Sequence, residues 1–193
     1  MSTSAAIEAA HLLDRLERLA RSEETAGVLN PAQWEALRFV ARANRFSRTP
    51  AALAEYLGST RGTVSQTLIA LVQKKHVRRE ASARDRRSVV IELTPVGKRA
   101  LQNDPILSLA ADLTASNPDK LDDLVETLRG VLQAKIARGG GRPFGVCHSC
   151  RHFRKGDEAV GQQSHHCALV DEPLSEAESY AICVEQEPMQ AAR

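Results

Sequence analysis

The stretch LAEYLGSTRGTVSQTLIALVQKKHVRR, residues 53–79, decides the fold of this chain. It begins with a short helical run that closes on Gly58, and a glycine at this place is a common helix end. A second helical run follows, and its apolar side chains share one face: Val64, Leu68, Leu71 and Val72. Two helices joined by a glycine-containing turn, followed by a basic strand, predict a helix-turn-helix.

The flanking segments extend this pattern in both directions. Upstream, residues 7–20 carry an apolar helical face, and Asn30 followed by a proline marks the start of a second helix. Downstream, residues 77–94 alternate as two strands around an arginine-rich tip. A further helix is bent or ended by Pro105, and a last long helix spans about residues 118–137. The order predicts a mainly helical α+β fold, a winged helix-turn-helix with a small β wing.

Four segments resemble the MarR family of transcriptional regulators: NPAQWEAL, the stretch quoted above, DRRS at 85–88 and LTPVGKRAL. The resemblance covers about residues 5–138, and its wing motif is more specific than a helix-turn-helix alone. It implies a homodimer in which the first and last helices interlock, with a recognition helix at about 60–74 and a wing at 81–88. It also implies binding to a pseudo-palindromic double-stranded operator, and a structural role for Asp85 in bracing the wing.

The charge distribution agrees with a nucleic-acid surface. Residues 1–142 carry a formal charge of +6, whereas residues 143–193 carry −4. Residues 61–87 hold eight basic and two acidic side chains, which suits a polyanion, although a basic run is often only a solvated face. Short polar side chains and arginines can reach base edges and phosphates. The candidate DNA-contacting residues are Thr60, Arg61, Thr63, Ser65, Gln66, Lys74, Lys75, Arg84, Arg86 and Arg87.

All four cysteines lie in the last quarter of the chain, at Cys147, Cys150, Cys167 and Cys183. Residues 144–193 hold few large apolar side chains, so the segment is expected to need a cross-link in order to fold. A metal bound by four thiolates would be such a cross-link. The opening C-x2-C can deliver two sulfurs to one site. Zinc ribbons normally have a second C-x2-C pair, whereas the third and fourth cysteines here are isolated. This favours an iron–sulfur site whose ligands come from separate loops.

The motif CHSCRHF, followed by CALV, is similar to the opening of high-potential iron–sulfur proteins, although the last cysteine spacing is longer here. The resemblance implies that the four cysteines bind one [4Fe–4S] cluster. Structural zinc, a thiol–disulfide switch and a [2Fe–2S] cluster are the alternatives. Four nearby histidines are left out of the ligand set: His148, His152, His165 and His166. His165 and His166 lie beside Cys167 and could replace a ligand, particularly of zinc. Arg151, Arg154 and Lys155 either offset the charge of the cluster or lie at the surface.

The glycine-rich residues 139–143 are expected to link a dimerisation and DNA-binding domain, residues 1–138, to a small loop-rich metal-binding segment, residues 144–193. The predicted function is transcriptional regulation in which the cluster changes how the tail packs on the dimerisation helices. One alternative is a regulator of the same fold with structural zinc and a small organic ligand. Another is an iron–sulfur redox protein. The sequence holds no catalytic constellation, so an enzyme is not expected.

The chain has no apolar run long enough to span a bilayer, and its N-terminus mixes charge among its apolar residues. We therefore expect a cytoplasmic protein with no membrane partner. In that compartment a cysteine cluster more often binds a metal or senses redox state than forms structural disulfides.

Overall fold

The computed structural model describes residues 2–25, 27–82, 88–156 and 165–189. Short 3-10 turns cover Pro118–Lys120 and Cys147–Ser149. The helices and strands are α1 (Ser2–Thr25), α2 (Pro31–Arg42), α3 (Pro50–Tyr56), α4 (Arg61–Gln73), β1 (Val77–Ala81), β2 (Val89–Leu93), α5 (Pro95–Leu101), α6 (Ile106–Ser116), α7 (Leu121–Arg138), β3 (Phe153–Arg154), β4 (His165–Cys167), β5 (Glu172–Leu174) and α8 (Glu176–Ser179).

Side-chain caps define where the central helices begin. Asn30 forms a capping box with Gln33, and the hydroxyl of Thr49 accepts a hydrogen bond from the backbone N–H of Ala52. These caps satisfy N–H groups that have no partner inside a helix. Beyond the end of α3, Gly58 has a φ of 58°, a left-handed conformation that suits glycine. The predicted start of α2 and the glycine turn after α3 are confirmed.

The hydrophobic core lies within the helix-turn-helix and the wing. Its fully buried residues come from α2, α3, α4 and β2: Leu37, Leu53, Leu68, Leu71 and Ile91. Strands β1 and β2 pair antiparallel from Val77 opposite Leu93 to Ala81 opposite Val89. The predicted mainly helical winged fold is therefore confirmed. The tip of the wing, which includes the predicted Arg84, Asp85, Arg86 and Arg87, lies outside the described residues.

Helices α1, α6 and α7 carry apolar faces that the rest of the chain leaves exposed. Leu12 on α1 is 55% exposed and Leu132 on α7 is 59% exposed. Pro105 separates α5 from α6, as predicted. These faces are suited to the predicted dimer interface, which stays a prediction. Within the described ranges, no helix has both the length and the apolar character required to cross a membrane.

Arg38 joins α1 to the turn between α5 and α6. Its Nε lies 2.8 Å from Oδ2 of Asp104, and its Nη1 lies 2.6 Å from Oε1 of Glu24. Both carboxylates are buried. One guanidinium therefore neutralises two carboxylates that would be costly to bury unpaired.

The last quarter of the chain contains secondary structure that the sequence did not predict. Strands β3, β4 and β5 form an antiparallel sheet in that order, and Ser175 caps α8. Ile182 belongs to the hydrophobic core of the winged helix, and Phe144 packs edge-on against Tyr56. Apolar residues of the tail therefore contribute to the core of the winged helix. The domain boundaries themselves stay predictions.

The tail docks on residues 43–49, the segment between α2 and α3. Residues Ala43 and Ile182 form a parallel backbone bridge, and Arg45 contacts both Glu172 and Glu178. The tail leaves the apolar faces of α6 and α7 exposed, which corrects the expectation that it packs on the dimerisation helices. The physical reason is that the few apolar side chains of this acidic segment pack on the core of the winged helix, while backbone hydrogen bonds and Arg45 hold it to residues 43–49.

Candidate functional site

The N-terminal half of α4 presents a polar surface. The hydroxyl of Thr60 accepts a hydrogen bond from the backbone N–H of Thr63 over 3.1 Å, and the two threonine hydroxyls lie 2.9 Å apart. These threonines are therefore engaged in the helix cap. Arg61 and Gln66 are exposed, and Ser65 is half-buried. The surface that α4 offers to a partner thus centres on one arginine and one amide.

The two lysines that follow α4 differ in their surroundings. The Nζ of Lys74 donates to the carbonyl oxygen of Val28 over 2.6 Å and to Oε1 of Gln33 over 2.8 Å. Lys75 is exposed and has a φ of 60°. Lys74 thus ties the end of α4 to the turn before α2, and Lys75 is the lysine that faces solvent. The DNA-contacting roles of both residues stay predictions.

All four cysteines line one small cavity of about 20 Å³, which exceeds the room that a single water needs. The cavity brings together residues that lie far apart in the sequence, from Asn44 to Glu185. Most of its other walls are apolar side chains: Phe46, Phe153, Leu169, Val170 and Leu174. The structure thus places the four predicted ligands around a common space between the tail and residues 43–49.

Each cysteine is held by local backbone structure. Cys147 and Cys150 flank a tight turn in which the N–H of Cys150 donates to the carbonyl of Cys147 over 2.8 Å. Cys167 ends β4 opposite Phe153. Cys183 donates its backbone N–H to the carbonyl of Gly145 over 2.8 Å. All four are free thiols.

Burial disfavours thiolates in this cavity. Burial first, and then the neighbouring Cys183 and Cys167, raises the pKa of the Cys147 thiol to about 12. Burial also raises the pKa of Cys183, although the proximity of Asn44, Glu185 and Ser47 favours the thiolate and opposes the shift. A bound cation would supply the charge that thiolates need in such surroundings.

As the side chains stand, no group of three or more His, Cys, Asp or Glu residues in the described part of the chain is placed to hold a metal ion. The cysteines share a cavity without converging on one point. Of the four histidines near them, His152 lines the cavity. His165 is buried against Phe153 and contacts Glu176, and His166 faces Asp171.

Asn44 is a cavity residue that the sequence did not point to. It is 1% exposed, and its Oδ1 accepts a hydrogen bond from the backbone N–H of Ser47 over 3.0 Å. Its Nδ2 has no hydrogen bond of ordinary geometry among the described residues, although it approaches Cys183 closely enough to favour the thiolate. An asparagine in a polar loop gives no sequence signal for such a position.

Comparisons with known proteins agree with this fold. Residues 29–88 match the model of the MarR family. No curated protein matched the sequence of the chain.

Three solved structures illustrate the likeness. The transcriptional regulator BldR from Sulfolobus solfataricus is 20% identical, with a TM-score of 0.55 over 69% of this chain and 99% of that chain. A MarR transcriptional regulator from Methanosarcina mazei Go1 is 20% identical, with a TM-score of 0.56 over 69% and 98%. FabT from Streptococcus pneumoniae, solved in complex with DNA, is 15% identical, with a TM-score of 0.55 over 72% and 99%. At these identities the likeness establishes the MarR-like winged helix fold.

Proposed function

We propose that this chain is a MarR-type transcriptional regulator that binds a pseudo-palindromic DNA operator as a homodimer. The observation that carries the proposal is the match of residues 29–88 to the MarR family, on a segment whose α4 exposes Arg61 and Gln66. FabT, which has a similar fold, was solved with DNA. The exposed apolar faces of α1, α6 and α7 support the dimer, and a two-fold dimer would read half-sites about one helical turn apart.

Arg61→Ala tests the recognition role of α4. We expect it to weaken binding to the operator by about 1–3 kcal/mol, the range for a side chain that contacts a base, and to weaken binding to random duplex much less. Arg18→Ala is the matched control, because Arg18 is exposed on α1 and pairs with Asp14. The measurement is a gel-shift titration on both duplexes. Equal affinities for the Arg61 variant and the wild type would contradict the proposal.

We further propose that Cys147, Cys150, Cys167 and Cys183 bind a [4Fe–4S] cluster whose presence alters operator binding. The position of all four cysteines around one cavity with mostly apolar walls supports this assignment. The buried Nδ2 of Asn44 also fits, since hydrogen bonds to sulfur are typical of iron–sulfur sites. When bound, such a cluster supplies a redox centre that responds to oxidant, nitric oxide or iron supply.

Structural zinc, with a small organic ligand as the signal, is the second candidate. A tetrahedral zinc site draws its sulfurs to about 2.3 Å from a single point. The described side chains do not converge in this way. A [4Fe–4S] cluster needs one thiolate for each iron, so metal and sulfide analysis distinguishes the two candidates.

Purification without oxygen tests the cavity assignment. We expect brown protein with about four iron and four sulfide per chain. Serine at any one of the four cysteine positions should deplete the cluster. Colourless protein with one tightly held zinc per chain would contradict the cluster and favour zinc, and metal-free protein with a protease-resistant tail would contradict both.

A further inference from the structure

Residues 43–49 contact the tail on one side. The backbone N–H of Ile182 donates to the carbonyl of Arg42 over 2.8 Å, and that of Asn44 donates to the carbonyl of Ile182 over 2.9 Å. The hydroxyl of Ser47 accepts the backbone N–H of Val184 over 2.9 Å. These bonds lie on both sides of Cys183, so the segment contacts the chain immediately around this cysteine.

The same segment contacts the wing and α3 on its other side. The carbonyl of Arg48 accepts the backbone N–H of Ile91, in β2, over 2.7 Å. The guanidinium of Arg48 lies 3.0 Å from a carboxylate oxygen of Glu92. Thr49 caps α3, the first helix of the helix-turn-helix. A shift of residues 43–49 would therefore be transmitted to β2 and α3, two elements of the DNA-binding region.

Asn44 lies where these two sets of contacts meet. Its Oδ1 fixes the turn through Ser47, while its Nδ2 lies at the cavity without a hydrogen bond of ordinary geometry among the described residues. A buried N–H donor without an acceptor costs free energy. A thiolate or sulfide sulfur in the cavity is an acceptor that would satisfy it.

We infer that Asn44 donates its side-chain N–H to the Cys183 sulfur or to an inorganic sulfide when the cavity is occupied, and that this bond couples the cavity to the wing through residues 43–49. This inference rests on the proposed function and names the residue through which the site acts. Asn44 is a positioning residue. Its bond fixes the turn at Ser47, and the turn fixes the carbonyl of Arg48 that holds β2.

Asn44→Asp tests the inference, because aspartate keeps the oxygen that accepts from Ser47 and loses the N–H donor. The readout is hydrogen exchange at the amide of Ile91, measured by NMR before and after anaerobic loading with ferrous iron and sulfide. In the wild type we expect loading to slow this exchange about tenfold, the effect of one hydrogen bond to a charged acceptor. In the variant we expect almost no change. Asn103→Asp, at an exposed position after α5, is the control for added charge.

The same proteins are compared for DNA affinity with and without iron. The Kd values for DNA with and without iron should differ in the wild type and in Asn103→Asp. They should be about equal in Asn44→Asp. A variant that loads iron normally and keeps both responses would overturn the inference and leave the cavity assignment intact.

Two other outcomes are distinguishable from this one. A wild-type protein that takes up neither iron and sulfide nor Zn²⁺ would overturn the cavity assignment and the inference together. If Asn44→Asp folds but fails to retain iron, Ser47→Ala is the second variant. It keeps the Asn44 donor and the Ser47 backbone N–H and removes only the hydroxyl that accepts from Val184 N–H, so it should retain iron and keep the protection of Ile91. Lost protection would mean that the coupling runs through Val184, and it would overturn the assignment to Asn44.

Discussion

The winged helix completely buries Leu37, Leu53, Leu68 and Leu71, whereas Leu174 is the only apolar side chain buried to the same extent among the described residues of the four-cysteine tail. The tail contributes Ile182 to the core of the winged helix, and Phe144 and Val184 pack against that core. Hydrogen bonds and ion pairs to residues 43–49 add to this docking. The helical region therefore has an apolar core of its own, while the tail depends on docking to that region and on what its cysteines bind.

The largest expected difference between the two regions comes from matched leucine substitutions. Leu71→Ala should destabilise the winged helix by about 2–5 kcal/mol, because it opens a cavity in the core. Leu174→Ala should release the tail and destabilise the winged helix less than Leu71→Ala does, through the loss of Ile182 from its core. Fluorescence of Trp34, the single tryptophan, reports the helical region during denaturant unfolding. Equal shifts in its midpoint would mean that the two regions unfold as one unit.

Leu132→Asp tests the exposed apolar face of α7, which is separate from the core of the winged helix and from the tail. In a dimer of the proposed kind it would bury an unpaired carboxylate, so dimerisation should weaken by about 3 kcal/mol or more. The tail should stay docked, because it does not cover this face. Sedimentation at micromolar concentration measures the effect, and Gln133→Asp, one residue along the exposed helix, is the control. A tail released by Leu132→Asp would contradict the described docking.

Arg45→Ala tests the polar docking of the tail by itself. The arginine contacts Glu172, Glu178 and the carbonyl of Pro173, and it is partly exposed. We expect a loss of about 1 kcal/mol in docking, because partly solvated ion pairs are weak. Limited proteolysis near residues 139–142 should then accelerate about fivefold. Arg18→Ala should not change this rate, and an unchanged rate in Arg45→Ala would show that the backbone contacts suffice.

Acidification should give the smallest effect. Burial would raise the pKa of Glu178, but hydrogen bonds from Ser175 and Arg45 outweigh it and lower the pKa below 4.5. A carboxyl group with a lowered pKa stabilises the fold above its unfolded pKa, and this contribution is lost as the pH falls through the folded value. Cleavage of the tail by an acid-active protease should therefore rise below about pH 4.5. Glu178→Gln should reduce that pH dependence, and an unaltered dependence would assign it to another carboxylate.

The winged helix could be predicted because its signals are local. Asn30 and Thr49 mark helix starts, Gly58 marks a turn, and the spacing of Leu68 and Leu71 shows which face is buried. These features depend on a few neighbouring residues and on a helical period. The same pattern predicted most of the buried face of α4, but Val72, which was expected on that face, is 38% exposed. The DNA-contacting roles assigned on that face stay predictions.

For the tail, the sequence predicted a set of four cysteine ligands but neither its strands nor its docking. Strands of two or three residues, such as β3 and β4, are too short to carry a period. The docking of Ile182 beside Ala43 joins positions far apart in the sequence, and no local pattern encodes this pairing. Asn44 was missed for the same reason, because only the fold brings it to the cysteines.

Arg38 places a permanent positive charge at the junction between α1 and the rest of the fold. Burial would lower its pKa, but hydrogen bonds with Asp104 and Glu24 outweigh this effect and raise it, so the guanidinium keeps its charge throughout the physiological range. A lysine could not replace it, because a single ammonium does not offer the planar fork that reaches both carboxylates. The inclination of α1 is thus set by a permanent charge, and adaptation of this protein to a new signal would be expected to preserve this arginine while the tail changes.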